Sequence, residues 1–126
     1  MSKKTLYITL SIPPSVNSAY ITRSKSYGRF MRPSARAWCD DATEKIINEV
    51  YIQNWETLSA KTVVEMTFYF KDKRIRDTNN CLKLLCDVLE DGGVYSNDYY
   101  CLPRVNNFFI DKNNPRLELT IYKLEE

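Results

Sequence analysis

The sequence predicts an α+β fold, a single small domain spanning residues 1–126 in which two helices pack on a mixed β-sheet. Segments rich in β-branched and aromatic residues alternate with two segments whose apolar residues recur every three or four positions. The expected element order is therefore β-α-β-α-β-β. A length of 126 residues with 44% hydrophobic residues suits one domain with one core.

The first half of the chain is expected to contain a strand, a long loop and a helix. Residues 5–12 alternate as a strand does, and two prolines follow them. Residues 15–33 show no period, so we expect an unusually long loop there, which suggests a functional segment. A helix is predicted from Ser34 to about Asn54. Its apolar face comprises Ala35, Trp38, Ala42, Ile46 and Val50.

The second half predicts one strong strand, one helix and two further strands. Thr62–Phe70 has the most strand-like composition in the chain, and a helix is expected from about Thr78 to Glu90, ended by Asp91-Gly92-Gly93. Two more strands are predicted at 104–110 and 116–124. The apolar face of this helix comprises Leu82, Leu85, Cys86 and Leu89, and its polar stripe comprises Asn80, Lys83, Asp87 and Glu90.

Two local groups of basic residues stand out, although the formal net charge is only +2. Basic side chains interleaved with aromatic ones are typical of surfaces that hold phosphates and stack on unpaired bases. Such loops are also common as solvated surface. The first group is Lys71, Lys73, Arg74 and Arg76, and the second is Arg23, Lys25, Arg29, Arg32 and Arg36, interleaved with Tyr20, Tyr27 and Phe30.

The composition excludes several kinds of site. The chain has no histidine, which removes the Ser-His and Cys-His nucleophile systems, and its four cysteines include no CxxC pair, so reduced thiols are expected rather than a zinc site. We find no signal-peptide pattern and no stretch near the roughly 18 apolar residues of a membrane span, so we expect a soluble, cytoplasmic protein. An active site here would need carboxylates, lysine or a metal ion.

The segment Arg76–Lys83 lies where the second strand ends and the second helix begins. Such a junction presents short polar side chains and helix N–H groups, which suit phosphate. Asp77 before the helix and Asp98 after it are candidate ligands for Mg²⁺, and Lys83 is placed to neutralise developing charge or position a water.

The same local pattern is also explained without any chemistry. Asp77 is a suitable N-cap, Lys83 and Asp87 have the spacing of a surface ion pair, and residues 71–76 read as a solvated strand end. Spacing alone does not separate the two interpretations.

Motifs spread over most of the chain resemble the RusA family of Holliday junction resolvases. The family's opening motif P-P-S-x-N-x-x-Y is similar to residues 12–20, and its closing strand is similar to Arg116–Ile121. Its central pattern R-D-x-D-N-x-x-K … D-D is matched by Arg76, Asp77, Asn79, Asn80 and Lys83, followed by Asp87, Gly92-Gly93, Asn97 and Asp98.

This resemblance implies a Mg²⁺-dependent endonuclease in which Mn²⁺ may substitute, acting as a homodimer on four-way DNA junctions and nicking two strands of like polarity. Position by position, it implies metal ligands at Asp77, Asn79 and Asp98 and a catalytic lysine at Lys83. The side chains expected to contact DNA, from the motifs and the basic groups together, are Lys71, Lys73, Arg74, Arg76, Asn80, Asn17, Tyr20, Arg23 and Arg29.

Asn79 departs from the family pattern, which has an aspartate at this position, and Asn97 replaces the first acid of the downstream pair, whose implied ligand is Asp98. An amide keeps one oxygen ligand but removes a full negative charge, so weaker metal binding and reduced cleavage are expected. Asn79 is either a natural variant or a laboratory substitution. Three hypotheses stay open: an active junction nuclease, a non-catalytic junction-binding protein, and a binding module whose basic groups face an acidic protein partner.

Overall fold

A computed structural model describes residues 4–15, 20–24, 28–74 and 76–125 of the protein. Short 3₁₀ turns at Thr78–Cys81 and Asp98–Tyr100 precede the second helix and the fifth strand. The predicted fold class and element order are confirmed, with one added hairpin. The strands are β1 (Thr5–Leu10), β2 (Tyr20–Ser24), β3 (Gly28–Met31), β4 (Thr62–Phe70), β5 (Cys101–Ile110) and β6 (Arg116–Lys123), and the helices are α1 (Pro33–Ile52) and α2 (Leu82–Asp91).

The main sheet has the strand order β1-β6-β4-β5. β6 pairs antiparallel with both β1 and β4, whereas β4 and β5 are parallel and pair from Thr62 with Cys101 to Phe70 with Ile110. Parallel neighbours need a long crossover, and here the crossover contains α2. Asp77 follows the end of β4 and Asp98 precedes the start of β5, so this register places them toward opposite ends of the crossover.

One face of the sheet packs against both helices because buried side chains alternate with less buried ones along most of β1, β4 and β6. Ala42 and Ile46 of α1 and Leu85 and Leu89 of α2 enter the same core. No helix in the described ranges combines the length and apolar character needed to cross a membrane. The strands contribute Leu6, Ile8, Leu10, Val64, Met66, Phe68, Phe70, Leu117, Leu119 and Ile121 to this core.

The prediction of a structureless loop over residues 15–33 was wrong. β2 and β3 form a separate antiparallel hairpin in which Tyr20 pairs with Met31 and Ile21 with Phe30. Strands of five and four residues are too short to establish a visible alternation, and their β-forming residues are mixed with glycine and charged residues.

The second helix differs from its prediction at its start and in its buried face. Residues 78–81 form a 3₁₀ turn, so α2 proper begins at Leu82. Leu84 and Val88 are buried, whereas Leu82 and Cys86 of the predicted apolar face are only half-buried. The burial shifts because α2 touches two neighbours: Leu85 faces the sheet core, and Leu84 packs with Ala35 of α1.

The end of α2 packs so closely on α1 that a side chain at Gly92 is not accommodated. A β-carbon placed on Gly92 meets Ile46 Cγ2 and lies 2.7 Å from Ile46 Cβ. We expect Gly92→Ala to lower the free energy of unfolding by about 1–3 kcal/mol, as overpacking of a core does. Urea unfolding followed by circular dichroism measures this, and an unchanged midpoint would contradict the packing described here.

Candidate active site

The turn after β4 holds the Arg76 side chain in place. Arg76 Nη2 lies 2.7 Å from Asp72 Oδ1, and Nη1 donates to the backbone carbonyls of Asp72 and Arg74 at 3.2 and 3.1 Å. The guanidinium also lies over the Phe70 ring, 4.9 Å from its centroid. Because four interactions fix this side chain, Arg76 presents an ordered positive charge beside Asp77.

Asp72 supports this arrangement from the other side. Its carboxylate accepts the N–H of Arg74 at 3.0 Å, and this bond, with the Arg76 guanidinium, holds the pKa of Asp72 below its usual value. A carboxyl whose pKa is lowered by folding stabilises the fold above its unfolded pKa, and this stabilisation is lost as pH falls through the folded value. The contribution therefore belongs to the range above about pH 4.

We expect Arg76→Met to raise the pKa of Asp72 relative to the unchanged chain, without restoring the ordinary value. The guanidinium is removed, but the Arg74 N–H bond, which is the larger cause, remains. A carbon-detected NMR titration of the Asp72 carboxyl in both chains measures the difference. If Asp72 titrates at the same pH in both, the Asp72–Arg76 ion pair does not form in solution.

Asp77 and Asn79 are joined by a short capping interaction. Asp77 Oδ1 accepts the backbone N–H of Asn79 at 2.9 Å, which begins the 3₁₀ turn. Both side chains are exposed, and Asn80 is half-buried beside them. We call Arg76, Asp77, Asn79 and Asn80 the turn cluster. The prediction that Asp77 is an N-cap is thus confirmed for Oδ1. This role leaves Oδ2 able to bind a metal ion.

The expectation that backbone N–H groups at the start of the helix receive a phosphate needs correction. The N–H of Asn79 is bound by the Asp77 side chain, that of Asn80 by the Asp77 carbonyl at 3.2 Å, and that of Leu82 by the Asn79 carbonyl. These donors are occupied because the turn is 3₁₀ and capped. These three N–H groups are therefore not available to a phosphate, and side chains such as Arg76 supply positive charge beside them.

A second group of charged residues lies along α2. Lys83 Nζ is 3.7 Å from Asp87 Oδ2, with the lysine side chain 70% exposed, and the Asp98 N–H donates to Glu90 Oε1 at 2.6 Å. The Asp98 backbone, held at Glu90, lies about one helical turn from Asp87 along α2. Partial burial raises the pKa of Asp87, and the Asp98 carboxyl adds to this against the opposing charge of Lys83. We call Lys83, Asp87, Glu90 and Asp98 the α2 cluster.

The structure does not bring the two clusters of one chain together. Asp77 precedes the four-residue 3₁₀ turn and Asp87 is the sixth residue of α2, so they are roughly 17 Å apart along the axis at about 2.0 and 1.5 Å per residue. Asp98 is held at Glu90, further along α2. Lys83 pairs with Asp87 and so belongs to the Asp98 end. Among the residues that the structure describes, no three acidic, histidine or cysteine side chains lie close enough to hold a metal ion.

The chemical character of the predicted ligands nevertheless suits Mg²⁺. Asp77, Asn79 and Asp98 offer carboxylate and amide oxygens, and all three residues are exposed, which suits an ion that keeps several waters. Their ligand atoms are of the type that Mg²⁺ prefers, but the fold of a single chain does not place the three side chains close together.

A cleft of about 430 Å³ beside the turn cluster is lined by two parts of the chain that are distant in sequence. Ile12, Pro13 and Ser15 from the segment after β1 face Arg76 and Asp77 across it. Phe68 and Phe70 of β4 are also among the residues that line it. The N-terminal motif and the central motif therefore share one cleft, although more than 60 residues separate them in the chain.

The remaining predicted DNA contacts are distributed over the turn and the hairpin. Lys71, Lys73 and Arg74 are exposed in the turn after β4. The backbone of Tyr20 and Arg23 lies in β2 and that of Arg29 in β3, whereas Asn17 is outside the described residues.

Three residues of the two clusters and their surroundings make contacts that the sequence did not predict. Asp72 anchors Arg76, Asp87 adjoins Asp98, and Glu90 binds the Asp98 backbone. The i,i+4 rule applies to helices, whereas Asp72 and Arg76 lie in the turn after β4, so no local sequence pattern identifies this pair. Asn97, which replaces an acid of the family pattern, caps the turn before β5 by accepting the Tyr99 N–H at 2.8 Å, a role that an asparagine fills well.

Comparison with protein-family models identifies the endodeoxyribonuclease RusA family over residues 11–122, which is most of the chain. A comparison with curated proteins gives no match. The matched range includes the cleft motif after β1, the turn cluster, the α2 cluster and β6. The chain belongs to the RusA endodeoxyribonuclease family, a group of Holliday junction resolvases.

Proposed function

We propose that this chain is a structure-selective endodeoxyribonuclease domain, spanning residues 1–126, that resolves four-way DNA junctions by Mg²⁺-dependent paired nicking, with Mn²⁺ able to substitute. The observation that carries the proposal is the shared cleft, where the N-terminal motif meets Arg76 and Asp77. Such an enzyme acts on recombining or damaged DNA, so we place it in the cytoplasm of a bacterium or of a phage-infected cell.

The separation of the two clusters is the argument for a homodimer. A two-fold axis places the same surfaces of both subunits opposite each other, so the turn cluster of one subunit can meet the α2 cluster of its partner. Asp77 and Asn79 would then face the partner subunit's Asp98 across the interface. Two such composite sites, related by the two-fold axis, match the symmetry of a four-way junction and of paired incisions.

Each charged residue has a defined task in this arrangement. Mg²⁺ supplies activation of water and stabilisation of charge on the phosphoryl oxygens. Arg76, held by Asp72 and Phe70, binds the phosphate beside the scissile bond, and its rigidity keeps that phosphate in one position. Lys83 delivers a mobile positive charge to the developing oxyanion because its side chain is largely exposed.

The exposed basic side chains beyond the cleft extend the proposed DNA surface. Lys71, Lys73 and Arg74 continue the positive charge of Arg76 along the turn, and they would bind the phosphates of one junction arm. Asn17, Tyr20, Arg23 and Arg29 are proposed to contact DNA nearer the junction centre.

A second candidate function is favoured by one residue. With Asn79 in place of an acid, the turn cluster supplies a single carboxylate, and a site with less negative charge binds a divalent cation more weakly. The chain as written would then bind junctions without cutting them. Measurable nicking by this chain in Mg²⁺ or Mn²⁺ excludes this alternative.

Binding measured without cleavage tests the junction specificity directly. Fluorescence anisotropy in EDTA, with a labelled four-way junction and a linear duplex of equal length at the same salt, is expected to show at least about tenfold tighter binding to the junction. Equal affinity for the two DNAs at matched salt would count against both junction functions and favour a module for an acidic protein partner.

A further inference from the structure

The segment that carries Asp98 is exposed and is tied to the rest of the fold at few points. Residues 96–99, here called the Asp98 loop, are exposed, although the neighbouring Tyr95 is fully buried. The loop is anchored at its start, where the Ser96 N–H donates to the Leu58 carbonyl at 2.8 Å. The residues on either side of it contact α2, since the Tyr95 hydroxyl donates to the Cys86 carbonyl at 2.7 Å and Cys101 Sγ lies 3.2 Å from Cys86 Sγ. What these contacts leave to be fixed is the placement of the exposed middle of the loop.

One hydrogen bond joins the middle of this loop to α2. Glu90 Oε1 accepts the backbone N–H of Asp98 at 2.6 Å, which is short for an N–H···O hydrogen bond. In the described part of the chain, the other backbone hydrogen bonds of residues 97–100 are local, because the Tyr99 and Tyr100 N–H groups both donate to Asn97. These local bonds shape the 3₁₀ turn but do not fix its position on the helix.

The direction of this bond suits a positioning role. The Asp98 N–H is taken by Glu90, and the Asp98 side chain remains beside Asp87, one helical turn earlier on the same face of α2. Among the residues that the structure describes, the hydrogen bond of the Glu90 carboxylate goes to the backbone of the loop and not to the carboxylate of Asp98. Glu90 therefore orients a ligand without being one.

We infer that Glu90 is a positioning residue that holds the Asp98 loop on α2 and so fixes the Asp98 carboxylate for divalent metal binding. The metal part of this inference rests on the proposed function. Loss of the Glu90 acceptor leaves the Asp98 N–H to water and lets the loop sample other positions, which weakens metal binding through added disorder.

The test compares Glu90→Ala with Glu90→Gln, both in an Asn79→Asp background. Glutamine keeps an oxygen that accepts the N–H, whereas alanine keeps the helix but has no acceptor. Glu44→Ala, at an exposed position of α1, is the matched control for loss of a surface carboxylate. Two quantities are measured: hydrogen exchange of the Asp98 amide in metal-free protein by NMR, and Mn²⁺ affinity by electron paramagnetic resonance.

We expect Glu90→Ala to speed Asp98 amide exchange and to weaken Mn²⁺ binding on the order of tenfold, as loss of a residue that supports a ligand does. Glu90→Gln should restore most of both, and Glu44→Ala should change neither. Unchanged exchange in Glu90→Ala overturns the inference, and so does faster exchange with unchanged Mn²⁺ affinity. If the Asn79→Asp parent binds no Mn²⁺, the proposed metal site fails separately, and the exchange comparison still decides whether Glu90 holds the loop.

Discussion

Asn79→Asp is expected to tighten Mn²⁺ binding and to raise junction cleavage, each on the order of 100-fold, relative to the chain as written. The substitution adds a full negative charge next to Asp77 without changing the shape of the turn. The Asn79 side chain is exposed. The hydrogen bond from its backbone N–H to Asp77 Oδ1 does not involve the side chain, so the substitution leaves it in place. Metal titration and single-turnover cleavage of a labelled junction measure the two effects.

The matched control for this substitution is Asn114→Asp, which adds the same charge in the exposed turn before β6. It should leave both metal binding and cleavage as they are. If Asn79→Asp binds Mn²⁺ no better than Asn114→Asp does, position 79 is not part of a metal site and the account of the missing charge is wrong.

Mixing two inactive chains is expected to restore cleavage if the site is built from both subunits. In an Asn79→Asp background, Asp77→Asn and Asp98→Asn should each be inactive alone. In their heterodimer, the intact turn cluster of one chain meets the intact α2 cluster of the other, so one composite site is complete. A site contained within one subunit stays broken in every combination.

Co-expression with two different affinity tags isolates the mixed dimer for this comparison. We expect it to nick one strand of the junction, at least about 100-fold faster than either parent homodimer, since removal of a key electrostatic group typically costs that much. A mixed dimer as inactive as its parents would place Asp77 and Asp98 in the same site of one subunit, against the separation described above.

The regular elements of the fold were predictable where one pattern dominates. β4 was predicted from Thr62 to Phe70, as observed, because its composition is rich in β-branched and aromatic residues. β5 begins three residues before its predicted start at Arg104, because Pro103 reads as a breaker in the sequence. β5 is an edge strand, where a proline without an N–H is tolerated.

The sequence indicated which residues belong to the candidate site better than it indicated how they are arranged in space. Motif spacing identified Arg76, Asp77, Lys83 and Asp98, and the family assignment supports that choice without testing their roles. The i,i+4 spacing did predict the Lys83–Asp87 ion pair, but it could not predict that this pair lies at the Asp98 end of the crossover, since that depends on the course of α2 and on the parallel register of β4 and β5. Contacts across a crossover, such as Glu90 with Asp98, are tertiary and have no local signature.

The measurement that tests the central claim most directly is the mapping of nicks made by the Asn79→Asp chain on an end-labelled four-way junction in Mg²⁺. The account predicts nicks at symmetry-related positions on two strands of like polarity, with no cutting of a linear duplex of the same sequence. A folded protein that binds the junction but makes no nick in either Mg²⁺ or Mn²⁺ would contradict it.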